Sequence, residues 1–109
     1  MKLVIGIVQD DDANDLIEVI TDRGFRVTKL ATTGGFLKSG NTTLLIGVEK
    51  EKVDEVLAII EEVCKERKQI ISSPSPVAGS TGVYMPFPIE VDVGGANVFV
   101  VDVDKYIKV

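Results

Sequence analysis

Apolar side chains recur at positions i, i+3, i+4 and i+7 in two segments of the chain, which is the spacing of one helix face. These segments predict helices from Ala13 to Arg23 and from Lys50 to Arg67. Short runs rich in β-branched residues indicate strands instead. The predicted strands are Lys2 to Val8, Phe25 to Ala31, Thr42 to Val48, Glu90 to Val93 and Asn97 to Val103.

The segments between these elements show neither the helical spacing nor a β-branched run. Thr32 to Asn41 is a loop rich in glycine and threonine, and Ser72 to Pro88 holds all four prolines of the chain. We expect the second segment to be a long, partly mobile loop. The three aspartates Asp10 to Asp12 suggest a metal cluster on composition alone, but their place before the first helix fits helix capping better.

Apart from the short segment Glu90 to Val93, the predicted elements follow the order β-α-β-β-α-β. This is the order of the ferredoxin-like fold, an α+β architecture with two helices on one face of a four-stranded antiparallel sheet. A chain of 109 residues supports one small core and no second one. We therefore predict a single ferredoxin-like domain over residues 1–109, with a long loop between the second helix and the last strand.

The second face of this sheet is also predicted to be apolar. Leu3 to Ile5, Leu44 to Ile46 and Val98 to Val101 are apolar at consecutive positions, so their side chains point to both faces. The helices cover one face, and an apolar patch of this size needs a cover on the other. The long loop folding back could supply that cover, but we favour self-association through the sheets.

Composition narrows the function. The chain has 17 acidic and 12 basic residues, a net charge of -5, no histidine and one cysteine. Without histidine, the commonest general base and the usual zinc ligand sets are missing, and one cysteine makes no internal disulfide. A binding module is therefore favoured over an enzyme. Cys64 falls on the apolar stripe of the second helix and is interpreted as a packing residue.

Membrane attachment is not expected. No apolar run approaches the roughly 18 residues needed to span a bilayer. Acidic residues follow the first strand, at the place where a signal peptide would carry small residues. We therefore expect a cytoplasmic protein with no membrane partner.

Positive charge is concentrated in one segment. Residues 23–41 contain Arg23, Arg26, Lys29 and Lys38 and no acid, which leaves 8 basic and 17 acidic groups, a net charge of -9, in the remainder. Such a segment attracts anions, and its glycines allow the backbone to approach a ligand. It carries neither a Walker A nor a Rossmann motif, so the phosphate signal is weak by itself.

The run from Phe25 to Thr43 resembles the PII-like cyclic-di-AMP receptor family of bacterial signalling proteins, and the resemblance continues through Gly47-Val48, Val53 to Glu55 and Glu90 to Val100. It implies a ferredoxin-like homotrimer that binds cyclic-di-AMP in clefts between subunits. It also implies no catalytic step and no cofactor besides this ligand. A downstream protein, which the sequence does not identify, would read the bound state at Ser72 to Pro88.

The family's ligand contacts are carried over by position onto eight residues. Arg26 and Thr28 would bind phosphate oxygens. Gly35 and Gly47 would let main-chain groups approach the ligand. The complete set that the resemblance implies is Arg26, Thr28, Gly35, Phe36, Leu37, Asn41, Gly47 and Phe99.

The adenine contacts would come from the loop before the third strand. Phe36 and Leu37 would pack on an adenine, and Asn41 would read an adenine edge with its paired donor and acceptor. Phe36 is equally compatible with capping the core, an alternative that the sequence leaves open. The chain departs from the family pattern at Gly24, where a side-chain amide is typical, and at Tyr106 to Val109.

Three other functions fit parts of the sequence. An ATP-binding PII-type regulator would carry a long loop between strands two and three, where this chain has only Thr32 to Asn41. An acylphosphatase-like enzyme needs an arginine and an asparagine around a phosphate and a water, which Arg23 or Arg26 with Asn41 could imitate. An RNA-binding domain needs paired aromatics and a basic face. With four phenylalanines, two tyrosines and a net negative charge, nucleic acid is not an expected partner.

Overall fold

A computed structural model describes residues 1–32, 40–76 and 84–109. Two helices and a four-stranded antiparallel sheet confirm the predicted α+β class. No helix within these ranges is long and apolar enough to cross a membrane. The elements are β1 (Lys2–Gln9), α1 (Asp10–Asp22), β2 (Val27–Thr32), β3 (Asn41–Val48), a 3-10 turn (Lys50–Lys52), α2 (Val53–Cys64), β4 (Arg67–Pro76), β5 (Tyr84–Val93) and β6 (Ala96–Asp102).

The core lies between one face of the four-stranded sheet and the apolar stripes of both helices. The strands have the order β2-β3-β1-β6, and alternate positions along each strand share a face. Buried core residues include Val4, Val8, Leu44 and Ile46 from the strands and Leu16, Ile20, Val56 and Ile60 from the helices. Cys64 lies in this core, where burial raises its pKa from 9.0 to about 12. Its interpretation as a packing residue is confirmed.

The face of the sheet turned away from the helices, here called the open face, is also apolar. Leu30, Phe99 and Val101 on this face are 44%, 49% and 43% exposed. The predicted second apolar face is therefore present. Cross-strand pairing aligns one row on it across all four strands: Thr28, Leu45, Ile5 and Phe99.

The loop expected over Ser72 to Pro88 is wrong where the structure describes these residues. β4 and β5 pair along their full length and form a separate two-stranded antiparallel sheet. Prolines argue against strands because they lack the N–H that a ladder uses. The register places all four prolines in alternate pairs, of which Pro74–Pro86 is one. They thus share the class of pair whose N–H positions point away from the partner strand. Residues 77–83 of the expected loop lie outside the described ranges.

Both helices differ from their predicted bounds. α1 begins at Asp10, so the three aspartates form its first turn instead of capping it, and the N-cap residue Gln9 makes no side-chain capping bond. Carboxylates in a first turn face the positive end of the helix dipole, which stabilises them there. The second helix follows a 3-10 turn and ends at Cys64. It stops there because Arg67 already pairs with Val93 and the chain must be extended.

Candidate functional site

A cavity of about 760 Å³ lies on the open face, at the end of the sheet where β2 begins and β3 ends. Its walls come from the starts of β1 and β2, the end of β3, the turn before α2 and the residues after β6. Segments that are distant in sequence therefore meet around one cavity. The residues that matter for its chemistry are Arg26, Thr28, Gly47, Glu49, Lys52, Tyr106 and Lys108.

This cavity is cationic in a chain that is acidic as a whole. Arg26, Lys52 and Lys108 line it, with Glu49 as the opposing carboxylate, whereas the net charge of the chain is -5. Within residues 1–32, 40–76 and 84–109, Arg26 forms no ion pair. A guanidinium in this position can bind phosphate oxygens with two parallel hydrogen bonds. The site thus favours an anionic ligand.

The turn that ends α1 places Arg26 at the cavity. Gly24 has φ of +88°, a conformation that glycine adopts without strain. Main-chain bonds of 2.9 and 3.2 Å from residues 24 and 25 return to the last turn of α1 and close it. Because Val27 pairs with Ile46, continuing the register places Arg26 opposite Gly47.

Gly47 leaves open space in the cavity wall. Positive φ among the described glycines is confined to positions 24, 94 and 95, so the backbone at Gly47 does not require glycine. An added Cβ would meet only Met1 Cε, at 3.5 Å, which is an ordinary contact. The reason for glycine here is therefore room on the open face.

The structure brings three of the predicted site residues together and places two others, Asn41 and Phe99, away from them. Arg26, Thr28 and Gly47 line the cavity. Asn41 is buried at the start of β3, about 20 Å along the strand from Gly47. Phe99 lies on the open face at the opposite edge of the sheet. Gly35, Phe36 and Leu37 lie outside the described residues.

The cavity residues that sequence reasoning did not assign to the ligand include Lys52, Tyr106 and Lys108. Lys52 lies in the 3-10 turn before α2, and its ammonium group lies 3.8 Å from the Glu55 carboxylate. The C-terminal residues reach the cavity because the Val103 N–H donates to the Met1 carbonyl at 3.2 Å. The sequence signal that could have identified these C-terminal residues is the aromatic Tyr106 two positions before the cationic Lys108.

The fold and the cavity define a small α+β ligand-binding domain suited to an anionic ligand. The model of the cyclic-di-AMP receptor family matches residues 1–109. The chain belongs to the cyclic-di-AMP receptor family. Membership supports a role in sensing cyclic-di-AMP, and a receptor function rather than a catalytic one.

A solved structure shows the same fold. It is the crystal structure of a functionally unknown protein from Pediococcus pentosaceus, which is 47% identical in sequence. The alignment covers 99% of this chain and 96% of that chain, with a TM-score of 0.79. The architecture described above is therefore shared over nearly the full length of both proteins.

Proposed function

We propose that the chain is a cytoplasmic receptor that binds cyclic-di-AMP in clefts between the subunits of a homotrimer and transmits the signal by reordering its loops. The observation that carries this proposal is the division of the candidate contacts between the two edges of the sheet. Arg26 and Thr28 lie at the β2 edge, and Phe99 lies at the β6 edge. On one subunit, three strand spacings, about 14 Å, separate Thr28 from Phe99. Neighbouring subunits would bring the β2 edge of one beside the β6 edge of the other.

The same two edges account for a closed ring. A contact between the β2 edge of one subunit and the β6 edge of the next joins different surfaces, and repetition of such a contact by rotation produces a ring. Leu30, Phe99 and Val101 are exposed in the single chain. Full burial of an apolar side chain of this size contributes about 1.5 to 3 kcal/mol, and these side chains, already about half buried, would each contribute roughly half of that on assembly. The hydrophobic effect thus supplies the driving force for assembly.

The ligand matches the charge and shape of the cavity. Cyclic-di-AMP carries two phosphates, and three cations line the cavity. In this proposal Arg26 and Thr28 bind phosphate oxygens, and Gly47 admits close main-chain contact. Phe36, Leu37 and Asn41 are assigned to the adenines, Gly35 to main-chain contact, and Phe99 to a contact from the sheet. A downstream protein partner would read the bound state at the β4–β5 hairpin.

Binding occurs without turnover in this proposal. The chain has no histidine, and a phosphodiester needs an activated nucleophile for hydrolysis. Excess protein incubated with cyclic-di-AMP should yield no linear dinucleotide by chromatography. Protein-dependent product that a variant of the site abolishes would contradict this part of the proposal.

Mixed trimers test the cleft between subunits. Arg26→Ala and Phe99→Ala should each weaken cyclic-di-AMP binding when prepared alone. When the two variants are refolded together, every mixed ring contains one cleft with an intact Arg26 edge and an intact Phe99 edge from different subunits. Mixing should therefore restore parental affinity at a fraction of the sites.

The outcomes of mixing are distinct. If both residues contacted the ligand from one subunit, no mixed ring would contain an intact site, and mixing would restore nothing. Light scattering on the same samples should give about 35 kDa, three times the chain mass of 11.8 kDa. A mass of 11.8 kDa at micromolar concentration would contradict the trimer and the shared cleft together.

A further inference from the structure

The first turn of α1 is attached to the start of β3 through Asp10. Its backbone N–H donates to the Gly40 carbonyl at 3.0 Å, and its carboxylate accepts from the Thr42 hydroxyl at 2.6 Å. The carboxylate also packs against Gly40, where an added Cβ would lie 2.5 Å from Oδ2. Asp10 therefore holds the residues on both sides of Asn41.

Asp12 attaches the same turn to the root of the β4–β5 hairpin. Its carboxylate accepts a hydrogen bond from Arg67 Nη2 at 2.8 Å, and its side chain is only 6% exposed. The second guanidinium nitrogen, Nη1, donates to the Lys65 carbonyl at 3.0 Å. Arg67 is the first residue of β4 and pairs with Val93, the last residue of β5. The bond to Asp12 thus fixes the hairpin at the point where the chain enters and leaves it.

The chain leaving the hairpin is attached at the same place. The Gly94 N–H donates to Gln9 Oε1 at 2.6 Å, and the Gly95 N–H donates to the Cys64 carbonyl. An added Cβ on Gly94 would lie 2.6 Å from Arg67 Nη1, so this glycine leaves the space that the guanidinium fills. The amides of Gly94 and Gly95 are therefore reporters of the hairpin root.

We propose that the first turn of α1 couples the start of β3 to the hairpin, with Asp10 and Asp12 as its positioning residues. Residues two apart on a helix do not face the same way, so the two carboxylates reach different neighbours from one hydrogen-bonded turn. A ligand held at Asn41 shifts the contact between Thr42 and Asp10, and the turn transmits this shift to Arg67. Such coupling is reciprocal, so the hairpin also changes ligand affinity. The ligand half of this inference rests on the proposed function.

Hydrogen exchange at the Gly94 and Gly95 amides, resolved by NMR in the full chain, tests the coupling without ligand. Thr42→Val removes the hydroxyl that donates to Asp10 and keeps a β-branched side chain. Exchange at both amides should become about tenfold faster, which corresponds to about 1.4 kcal/mol and lies near the value of a hydrogen bond to a charged group. Thr42→Val added to Arg67→Met should cause no further change, because the link to the hairpin is already broken.

The matched control is Asp11→Asn, because Asp11 is an exposed carboxylate of the same turn. It should leave both amides unchanged, and the amide of the buried Val4 reports global stability separately. Asp10→Ala removes the accepting oxygen and is a second route to the same break if Thr42→Val does not fold. Equal exchange in Thr42→Val and Asp11→Asn contradicts the coupling. If Thr42→Val speeds exchange by the same factor in the parent and in Arg67→Met, the coupling is contradicted as well.

A ligand arm separates this inference from the proposed function. Cyclic-di-AMP should slow exchange at Gly94 and Gly95 in the parent, and this slowing should be lost in Arg67→Met while calorimetry still detects binding. Binding to the parent without any change at the two amides contradicts the coupling. Absence of binding to the parent contradicts the proposed function, and the ligand-free comparison then decides the coupling by itself.

Discussion

Gly47→Ala separates the binding role of the cavity from its structural role. The added Cβ would meet the flexible end of Met1 at 3.5 Å, so the fold accommodates it. Alanine loses less backbone entropy than glycine on folding, which stabilises a strand position by about 0.5 to 1 kcal/mol. A domain of about 100 residues gains about 4 to 8 °C in melting temperature for each kcal/mol. The variant should therefore melt several degrees higher than the parent.

The same methyl group should weaken ligand binding. It points to the open face, into the cavity that Arg26 and Thr28 line, and fills space that close main-chain contact requires. Overpacking of a well-filled contact costs about 1 to 3 kcal/mol. This corresponds to roughly 5- to 150-fold weaker binding of cyclic-di-AMP. Gly47→Ala is thus expected to be more stable and to bind less well.

Calorimetry gives the affinity, and thermal melts at equal protein concentration give the stability, since assembly makes melting depend on concentration. Gly6→Ala is the matched control. Gly6 faces the helices, and its added Cβ would meet Ile60 Cδ1 at 3.8 Å, so it should raise stability and leave affinity unchanged. Parental affinity in Gly47→Ala would refute the assignment of Gly47 to the ligand. Loss of stability in Gly47→Ala would refute the packing estimate.

The remaining predictions concern three residues. Arg26→Ala should weaken cyclic-di-AMP binding and flatten its salt dependence, because it removes a charge directed at phosphate, whereas Lys29→Ala on β2 should do neither. Phe36→Ala should cost about 1 to 3 kcal/mol of binding energy with little change in melting temperature; a large drop in melting temperature with unchanged binding would assign the ring to the core. Cys64 should react with thiol reagents near neutral pH only as fast as the chain unfolds, because the thiol is buried and its pKa of about 12 keeps it protonated. Fast reaction in the folded protein would contradict its burial. Since the folded pKa of Cys64 is raised, its contribution to the free energy of unfolding is complete below pH 9.0 and declines towards about pH 12, which melting temperatures in alkaline buffers would measure.

The helices and the core strands could be predicted because their signals are local. Leu16 and Ile20 lie four residues apart on one helix face. Val4 and Val8 are separated by an even number of strand positions, so both point to the same sheet face. The burial of these four side chains follows from the same patterns. The end of α2 could not be predicted in this way, because pairing of Arg67 with a strand much later in the chain decides it.

The hairpin could not be predicted from local preference. Proline is depleted in strands, and only the register shows that prolines such as Pro74 and Pro86 occupy one class of pair. The contact between Asp12 and Arg67 spans 55 positions of sequence and replaces the capping role expected for the aspartates. Tertiary pairing, rather than residue type, determines both features.

The candidate site was predictable only in part. Arg26, Thr28 and Gly47 carry a recognisable pattern of charge, hydroxyl and glycine, and the structure places them around one cavity. Lys108 reaches the cavity through the path of the C-terminal chain, which no local pattern encodes. Asn41 and Phe99 lie elsewhere on the sheet, and their assignment to the ligand depends on the neighbouring subunit.

Under the proposed function, this chain binds cyclic-di-AMP at clefts built from two sheet edges. Calorimetric titration of the purified protein with cyclic-di-AMP tests it most directly, with cyclic-di-GMP, ATP and 2-oxoglutarate titrated in parallel. We expect saturable binding of cyclic-di-AMP at one ligand per subunit, because each cleft uses one β2 edge and one β6 edge, and much weaker binding of the other three compounds. Tight binding of ATP alone, or no binding of cyclic-di-AMP to the assembled protein, would contradict it.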